Sequence, residues 1–331
     1  MDPILEVLDL TTYFYTPLGV ARAVDGISYS LQGGESLGIV GESGSGKSVS
    51  ALSLLRLVES PPGRIVRGRV LFRGEDLLQS PRERIRQIRG RHVSMIFQEP
   101  MTSLNPCYTV GDQIGEVLRI HTQISRHEAR QRTVELLDQV HIPDPNRAVK
   151  QYPHELSGGM RQRVMIAMAL ACKPDILIAD EPTTALDVTI QAQILALLAR
   201  LKEDLGMATI FITHDLGIIA QYVSRVLVMY AGRIVESAAT TDLFLNPRHP
   251  YTLGLLHSLP RLGARSKGER KRLAEIPGVV PSLYNLPPGC RFANRCERSA
   301  DRCRREEPAL VAVAEGHEVA CWLAEDHPYA D

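Results

Sequence analysis

The feature that most constrains the fold is a glycine-rich turn between an apolar strand and a helix. Residues 36–40 read SLGIV, and the next eight, GESGSGKS, match G-x-x-x-x-G-K-[ST]. Glycines let backbone N–H groups turn inward, and a helix N-terminus adds a positive dipole end, so this turn favours anionic phosphates. We expect Lys47 to reach the β and γ phosphates of a nucleotide and the Ser48 hydroxyl to bind Mg²⁺. The expected nucleotide-binding residues are Gly41, Ser43, Gly44, Ser45, Gly46, Lys47, Ser48 and Val49.

Strands and helices alternate along most of the chain. This pattern predicts an α/β fold with a largely parallel sheet. A mainly helical block at about 99–159 is expected as an insertion on one side of the sheet. The predicted strands lie at 4–10, 26–31, 36–40, 93–97, 176–179, 208–213 and 226–230, and the predicted helices at 48–58, 110–121, 126–140, 157–171, 188–202 and 216–222.

Two acidic residues end the apolar strand at 176–179. Asp180 is suited to the Mg²⁺ shell, and Glu181 is suited to polarise an attacking water. Paired acids at a strand end are equally compatible with a solvated turn, so this pattern alone does not decide between the two interpretations.

Further motifs make the sequence resemble the ATP-binding cassette (ABC) ATPases over about 250 residues. The segment 156–160, LSGGM, resembles the family's LSGGQ signature, and Gln98 its Q-loop glutamine. The segment 185–187, ALD, is similar to the D-loop, and His214 to the switch histidine. Together with the phosphate-binding loop and the paired acids, these motifs stand in the family's order.

The resemblance implies a RecA-like core with antiparallel β and α-helical subdomains, and two cassettes that sandwich ATP head to tail. Glu181, His214 and Gln98 would then serve hydrolysis, with Ser48 and Gln98 on Mg²⁺. Asp187 would contact the partner cassette. An aromatic normally stacks on adenine, and Phe14 lies at the matching distance, with Tyr13 and Tyr15 as alternatives. The signature residues expected to act on the partner's nucleotide are Ser157, Gly158 and Gly159.

Finer similarities point to a subfamily. The segments 97–106 and 246–252 are similar to stretches of peptide and nickel importers. Met160 replaces the common signature glutamine and, with 178–194, resembles the D-type ATPase of oligopeptide and dipeptide permeases. The implied function is ATP hydrolysis that drives uptake of di- or oligopeptides, with nickel or another solute as the alternative.

The same resemblance implies the partners and the location. The partners would be a second, F-type ABC ATPase, two transmembrane permease subunits and, indirectly, a solute-binding protein. The protein would then lie peripherally on the cytoplasmic face of the cell membrane. Tyr108 and Ile114 are candidate docking residues in the helical block, with burial inside the block as an equal alternative.

Composition excludes other classes. No apolar run reaches the roughly 18–20 residues of a membrane span, and no basic segment precedes an apolar one as in a signal peptide. Lys plus Arg and Asp plus Glu both number 38, so the formal net charge is zero. This neutrality disfavours a nucleic-acid partner, and a nucleic-acid-associated ABC ATPase is therefore the weaker alternative.

The C-terminal part is built differently. We place the boundary after residue 260, giving an ATPase domain at 1–260 and an extension at 261–331 that opens with a basic linker at 261–272. Its four cysteines have the spacing C-x5-C-x6-C-x17-C, unlike the C-x2–4-C pairs of zinc ribbons. Zinc and unrelated reduced thiols remain alternatives, but the resemblance favours a 4Fe–4S cluster that staples a tail expected to hold little helix or strand. The predicted cluster ligands are Cys290, Cys296, Cys303 and Cys321.

Overall fold

The computed structural model of the chain describes residues 2–98, 103–184, 186–258 and 276–324. The predicted linker at 261–272, the boundary after 260, motif residues 99–102 and Ala185 lie outside the described residues. The chain forms two compact units. In the described chain, the first unit comprises 2–4, 31–35, 75–98, 103–184 and 186–211, and the second comprises 5–30, 36–74, 212–258 and 276–324.

The secondary structure is mixed. The strands are β1 Leu5–Thr16, β2 Gly19–Leu31, β3 Ser36–Val40, β4 Gly63–Phe72, β5 Glu75–Asp76, β6 Val93–Ile96, β7 Ile176–Asp180, β8 Ala208–Thr213, β9 Arg225–Tyr230, β10 Arg233–Ala239, β11 Val311–Ala314 and β12 His317–Val319. The described α-helices are α1 Lys47–Leu54, α2 Arg82–Ile88, α3 Val110–Thr122, α4 Arg126–Gln139, α5 Pro145–Ala148, α6 Gly158–Leu170, α7 Val188–Leu205, α8 Leu216–Tyr222, α9 Thr240–Leu245, α10 Pro250–His257 and α11 Asp301–Arg305. Short 3₁₀ turns lie at Pro153–Glu155 and Trp322–Ala324.

The second unit contains two groups of paired strands. In one, β1 lies between β2 and β4 and pairs antiparallel with β4, from Leu5↔Phe72 to Phe14↔Gly63. In the other, the order is β11-β12-β10-β9-β3, and β3 runs parallel to β9. All five residues of β3 are buried, which explains its unbroken apolar sequence. This buried strand leads directly into the glycine-rich turn and α1.

The first unit holds parallel strands β6 and β7, with every residue of β7 buried. The helices around them begin where side chains can accept from backbone N–H groups. Thr109 caps α3 by accepting from Asp112 N, and Ser125 caps α4 by accepting from Glu128 N. Ile114 on α3 is fully buried, which selects the alternative of packing inside the block, whereas Tyr108 is 57% exposed.

The α/β prediction is confirmed, and each predicted strand and helix corresponds to an observed element. The ends coincide at 36–40, 208–213 and 216–222 and are shifted in the others. The helix expected at 48–58 ends at Leu54, shortly before the left-handed Arg56. Strands β4 and β10 were not predicted. The tail is also more regular than expected, since it contributes α11, β11 and β12, and β12 pairs with β10 through Glu236↔Val319.

In the part of the chain that the structure describes, no helix combines the length and the apolar character needed to span a bilayer.

Candidate nucleotide-binding site

Two glycines fix the path of the turn between β3 and α1. A Cβ atom on Gly41 would lie 2.2 Å from the Met229 carbonyl oxygen, and one on Gly46 would lie 2.1 Å from the Ala23 carbonyl oxygen. Gly41 has φ +154° and Gly46 has φ +98°, values that L side chains rarely adopt. The turn therefore depends on bare backbone, which is the form of cradle that accommodates phosphate groups.

Lys47 directs its ammonium group into this turn. Its Nζ donates to the carbonyl oxygens of Gly41 at 2.7 Å and Glu42 at 3.0 Å, and to Ser45 Oγ at 3.4 Å. The Lys47 side chain is buried. Ser48 and Val49 follow in the first turn of α1. A buried cation within a glycine cradle fits an anionic triphosphate.

The turn is anchored from elements far away in sequence. The Glu42 N–H donates to Tyr251 Oη at 2.8 Å, and the Gly232 N–H donates to the Ser45 carbonyl at 2.9 Å. Arg295 binds the Glu42 carboxylate with both terminal nitrogens, at 2.6 and 3.0 Å. Sequence reasoning missed these anchors, although 246–252 was noted as a subfamily motif. The feature that identifies Arg295 as an anchor is its burial, and burial is a property of the folded chain that the sequence does not display.

A buried ion-pair network lies in the same unit. Arg291 binds Asp25 and donates through Nε to Glu307 at 2.8 Å. Tyr13 Oη also donates to Asp25, at 2.6 Å. Burial alone would raise the pKa of Asp25, but the hydrogen bonds from Tyr13 and Arg291 and the arginine charge outweigh it and lower the pKa. Arg291 also donates to the Ala231 carbonyl, next to the Gly232 that contacts the turn.

The three aromatic candidates for adenine stacking have different surroundings. The Tyr13 hydroxyl is held by Asp25. Phe14 is half-buried in β1 opposite Gly63, where an added Cβ would meet the Phe14 ring at 3.0 Å. Tyr15 is 49% exposed. The Tyr13 hydroxyl thus has a polar partner, whereas the structure does not decide between Phe14 and Tyr15, and stacking by Phe14 stays a prediction.

In the first unit, the structure brings Gln98 and Glu181 together. Glu181 Oε2 accepts from Gln98 Nε2 at 3.0 Å and from Thr184 Oγ1 at 2.9 Å. Asp180 is the buried last residue of β7. Glu181 has φ +45° although it is not glycine and precedes a proline, a sparsely populated backbone state. Such strain concentrates at functional sites, where the surrounding structure holds the side chain in one direction.

The signature segment packs against the N-terminal part of α7. Ser157 caps α6 by accepting from Met160 N at 3.3 Å, and Gly158 and Gly159 form the first turn. A Cβ on Gly159 would lie 3.0 Å from Ile190 Cγ2. Asp187 caps α7 by accepting from Ile190 N at 2.9 Å, so it has a structural role in addition to any contact with a partner. Ser157 and Gly158 are exposed.

His214 belongs to the second unit. It directly follows β8 and is exposed. The next residue, Asp215, caps α8 by accepting from Gly217 N at 2.7 Å. A strand end and a capped helix therefore fix the backbone on both sides of His214.

The predicted iron–sulfur cluster is wrong. Over the described residues, no group of three or more His, Cys, Asp or Glu side chains is placed to hold a metal ion. Cys290, Cys296, Cys303 and Cys321 line one pocket with a volume of about 10 Å³, room for about one water. Burial raises the pKa of the Cys290 thiol to about 11, and also raises those of Cys296 and Cys321, so without a metal these side chains are neutral thiols.

The tail obtains its stability from other contacts, which is why the argument for a cluster failed. The Phe292 ring lies 5.2 Å from the Tyr230 ring and 5.5 Å from the Tyr251 ring. Arg291 and Arg295 are nearly inaccessible, at 6% and 4% of side-chain exposure, and both are paired with carboxylates. Aromatic packing and buried ion pairs thus attach the tail to the second unit.

Known proteins match this chain along nearly all its length. The family described as "ABC transporter" matches residues 24–184, and "Oligopeptide/dipeptide transporter, C-terminal region" matches 235–303. The "Probable peptide ABC transporter ATP-binding protein y4tR" of Sinorhizobium fredii is 54% identical, covering 98% of this chain and 96% of that protein. The "Dipeptide transport ATP-binding protein DppD" of Escherichia coli strain K12 is 51% identical, covering 96% of each.

A solved structure agrees with these matches. The "ATP-binding cassette MJ0796 bound to ADP and Pi", in a dimeric post-hydrolysis state, has a TM-score of 0.64 and 26% identity, covering 71% of this chain and 98% of that one. The fold, the phosphate-binding turn and the similarity to known proteins together define the class of protein, an ABC ATPase. More narrowly, the chain belongs to the family of oligopeptide and dipeptide ABC transporter ATP-binding proteins.

Proposed function

We propose that the protein is the ATP-hydrolysing subunit of an ABC importer that takes up di- or oligopeptides. The observation that carries the ATPase part is the phosphate-binding turn, in which the Gly41 and Gly46 backbone leaves no space for side chains and Lys47 directs its ammonium group inward. Similarity to peptide and dipeptide transport proteins over nearly the whole chain supports the peptide substrate.

The residues divide the chemistry among them. Lys47 and the backbone donors of the turn would bind the β and γ phosphates, and Phe14 would stack on adenine. Glu181 would accept a proton from the water that attacks the γ phosphorus as the bond to the β-phosphate oxygen breaks. His214 would hold the γ-phosphate. The products would be ADP and inorganic phosphate. Mg²⁺ would neutralise phosphate charge, with Ser48, Gln98 and Asp180 as the residues to hold it.

The hydrogen bonds to Glu181 suit this role. Thr184 and Gln98 both donate to the same carboxylate oxygen, Oε2. Two donors on one oxygen orient the carboxylate, as a group that accepts a proton from water requires.

The assembly would contain further subunits. Ser157, Gly158, Gly159 and Asp187 would act across an interface with a second ABC ATPase, a distinct F-type subunit. Two transmembrane permease subunits would hold the pair at the cytoplasmic face of the membrane and receive solute from a binding protein. Residues 1–260 would form the ATPase domain, with a helical subdomain at about 99–159, and residues 261–331 the C-terminal extension.

Replacement of Glu181 by glutamine tests the ATPase assignment. Glu181→Gln keeps the side-chain shape but removes the base, so ATP turnover of the assembled transporter should fall by at least about 100-fold while ATP binding persists. Glu203→Gln, an exposed acid near the end of α7, is the matched control and should turn over normally. Undiminished ATP turnover in Glu181→Gln would show that Glu181 does not act as the base in hydrolysis.

A further inference from the structure

All three nitrogens of the Arg295 guanidinium group donate hydrogen bonds. Nε donates to the Pro277 carbonyl at 2.9 Å, Nη1 to Glu42 Oε2 at 2.6 Å and Tyr230 Oη at 3.4 Å, and Nη2 to Glu42 Oε1 at 3.0 Å and the Ile276 carbonyl at 3.3 Å. Five contacts match the five N–H donors of arginine. The Arg295 side chain is 4% exposed, whereas its partner Glu42 is 31% exposed.

The residue that Arg295 grips is the second residue of the phosphate-binding turn. Glu42 is held at three points: its N–H by Tyr251 Oη at 2.8 Å, its carboxylate by Arg295, and its carbonyl by Lys47 Nζ at 3.0 Å. Tyr251 is fully buried. Because one end of Glu42 is tied to Arg295 and the other to Lys47, the position of Arg295 is transmitted to the ammonium group that would meet the phosphates.

The charges of Glu42 and Arg295 also indicate that this pair affects phosphate binding. A carboxylate in a loop that must receive a polyphosphate would repel it, and the repulsion grows as the surroundings become less polar. The bidentate pair with Arg295 neutralises Glu42 inside the fold. The hydrogen bond with Glu42 in turn raises the pKa of Arg295, so the guanidinium stays charged at every relevant pH. Lysine could supply the charge but not the planar fork.

We propose that Arg295 is a positioning residue of the nucleotide site: it fixes and neutralises Glu42, and thereby sets Lys47 for the triphosphate. The proposal rests on the proposed ATPase function and extends it, because it makes the C-terminal segment at 276–295 part of the ATP-binding machinery. No sequence motif in that segment predicts this role, because Glu42, the partner of Arg295, lies 253 residues away in sequence.

Binding of a fluorescent ATP analogue to full-length variants tests the proposal. Arg295→Met should raise the Kd about tenfold, because it leaves the Glu42 carboxylate unpaired beside the phosphates. Arg295→Lys should raise it by a smaller factor, and this variant also serves should Arg295→Met fail to fold. Arg302→Met is the matched control, since Arg302 lies seven residues further along the tail, is 52% exposed and pairs with Glu306. Its Kd should equal that of the wild type.

A second substitution separates the effect of the unpaired Glu42 charge from general loosening of the tail. In Arg295→Met/Glu42→Gln the unpaired charge is gone, so the Kd should return to within about threefold of wild type. A merely structural arginine predicts that the double variant binds no better than Arg295→Met. An unchanged Kd in Arg295→Met and Arg295→Lys, or no recovery in the double variant, overturns the proposal. Absence of binding by the wild type would instead overturn the proposed ATPase function.

Discussion

Substitution of Gly46 by alanine should damage both folding and ATP binding. The new Cβ would lie 2.1 Å from the Ala23 carbonyl oxygen and 3.3 Å from its carbon, backbone atoms that cannot move without displacing β2. The positive φ of +98° costs about 1–2 kcal/mol for a residue with a Cβ, and overpacking against fixed atoms costs about 1–3 kcal/mol more. The expected loss in free energy of unfolding is therefore about 2–5 kcal/mol.

Gly74→Ala provides the matched control. Gly74 also has a positive φ, +81°, and lies in the same unit, but nothing stands within 4 Å of its added Cβ. It should lose only the backbone part, about 1–2 kcal/mol. Urea unfolding gives both losses, and titration with a fluorescent ATP analogue reports whether the turn still binds.

The difference in stability and ATP binding between these two variants tests whether the turn needs bare backbone at Gly46. Gly46→Ala should lose at least about 1 kcal/mol more than Gly74→Ala and should bind ATP more weakly, because the contact at Ala23 is close. Equal losses, or normal ATP binding by Gly46→Ala, would refute the claim that the turn needs bare backbone at this position.

The remaining predictions concern His249 and Asp187. Burial lowers the pKa of His249 to about 4 from its ordinary 6.5, with Glu236 opposing the shift, so the unfolded chain takes up a proton first as pH falls. Stability should then be constant above about pH 6.5 and fall by up to about 3 kcal/mol between pH 6.5 and 4. His249→Asn keeps an acceptor for Tyr251 N, and urea unfolding at pH 7.5 and 5 should show a smaller pH dependence than in wild type; an equal dependence would exclude His249 as its source. Asp187→Ala should lose about 1 kcal/mol of stability with its helix cap, whereas Asp187→Ser should keep the cap. If Asp187 also contacts the partner cassette, the serine variant should be as stable as wild type yet slower in ATP turnover of the assembled transporter; full turnover would leave Asp187 as a cap alone.

The sequence predicts what local chemistry determines. The strand at 36–40, the glycines after it and the helix that follows place Lys47 without knowledge of any distant residue, because strand, turn and helix N-terminus are continuous in the chain. The contact between Gln98 and Glu181 is also predictable in outline, since both follow parallel neighbouring strands, β6 and β7.

The rest depends on pairs that no local pattern identifies. Arg295 reaches Glu42, and Arg291 reaches Asp25, across more than 250 residues of chain. Without these pairs the Pro-rich tail appeared too poor in regular structure to fold unaided, and a cluster was inferred to staple it. Buried charges paired over long range, together with Phe292 against two tyrosines, supply that stability instead.

The most direct test of the central claim is ATP-driven uptake of a labelled dipeptide by proteoliposomes. The protein would be purified from membranes with the subunits that accompany it, and those subunits identified. We predict uptake that requires ATP, is accompanied by ATP hydrolysis and is abolished by Glu181→Gln. ATP hydrolysis without dipeptide or oligopeptide uptake, or uptake that persists in Glu181→Gln, would contradict the assignment as the ATPase of a peptide importer.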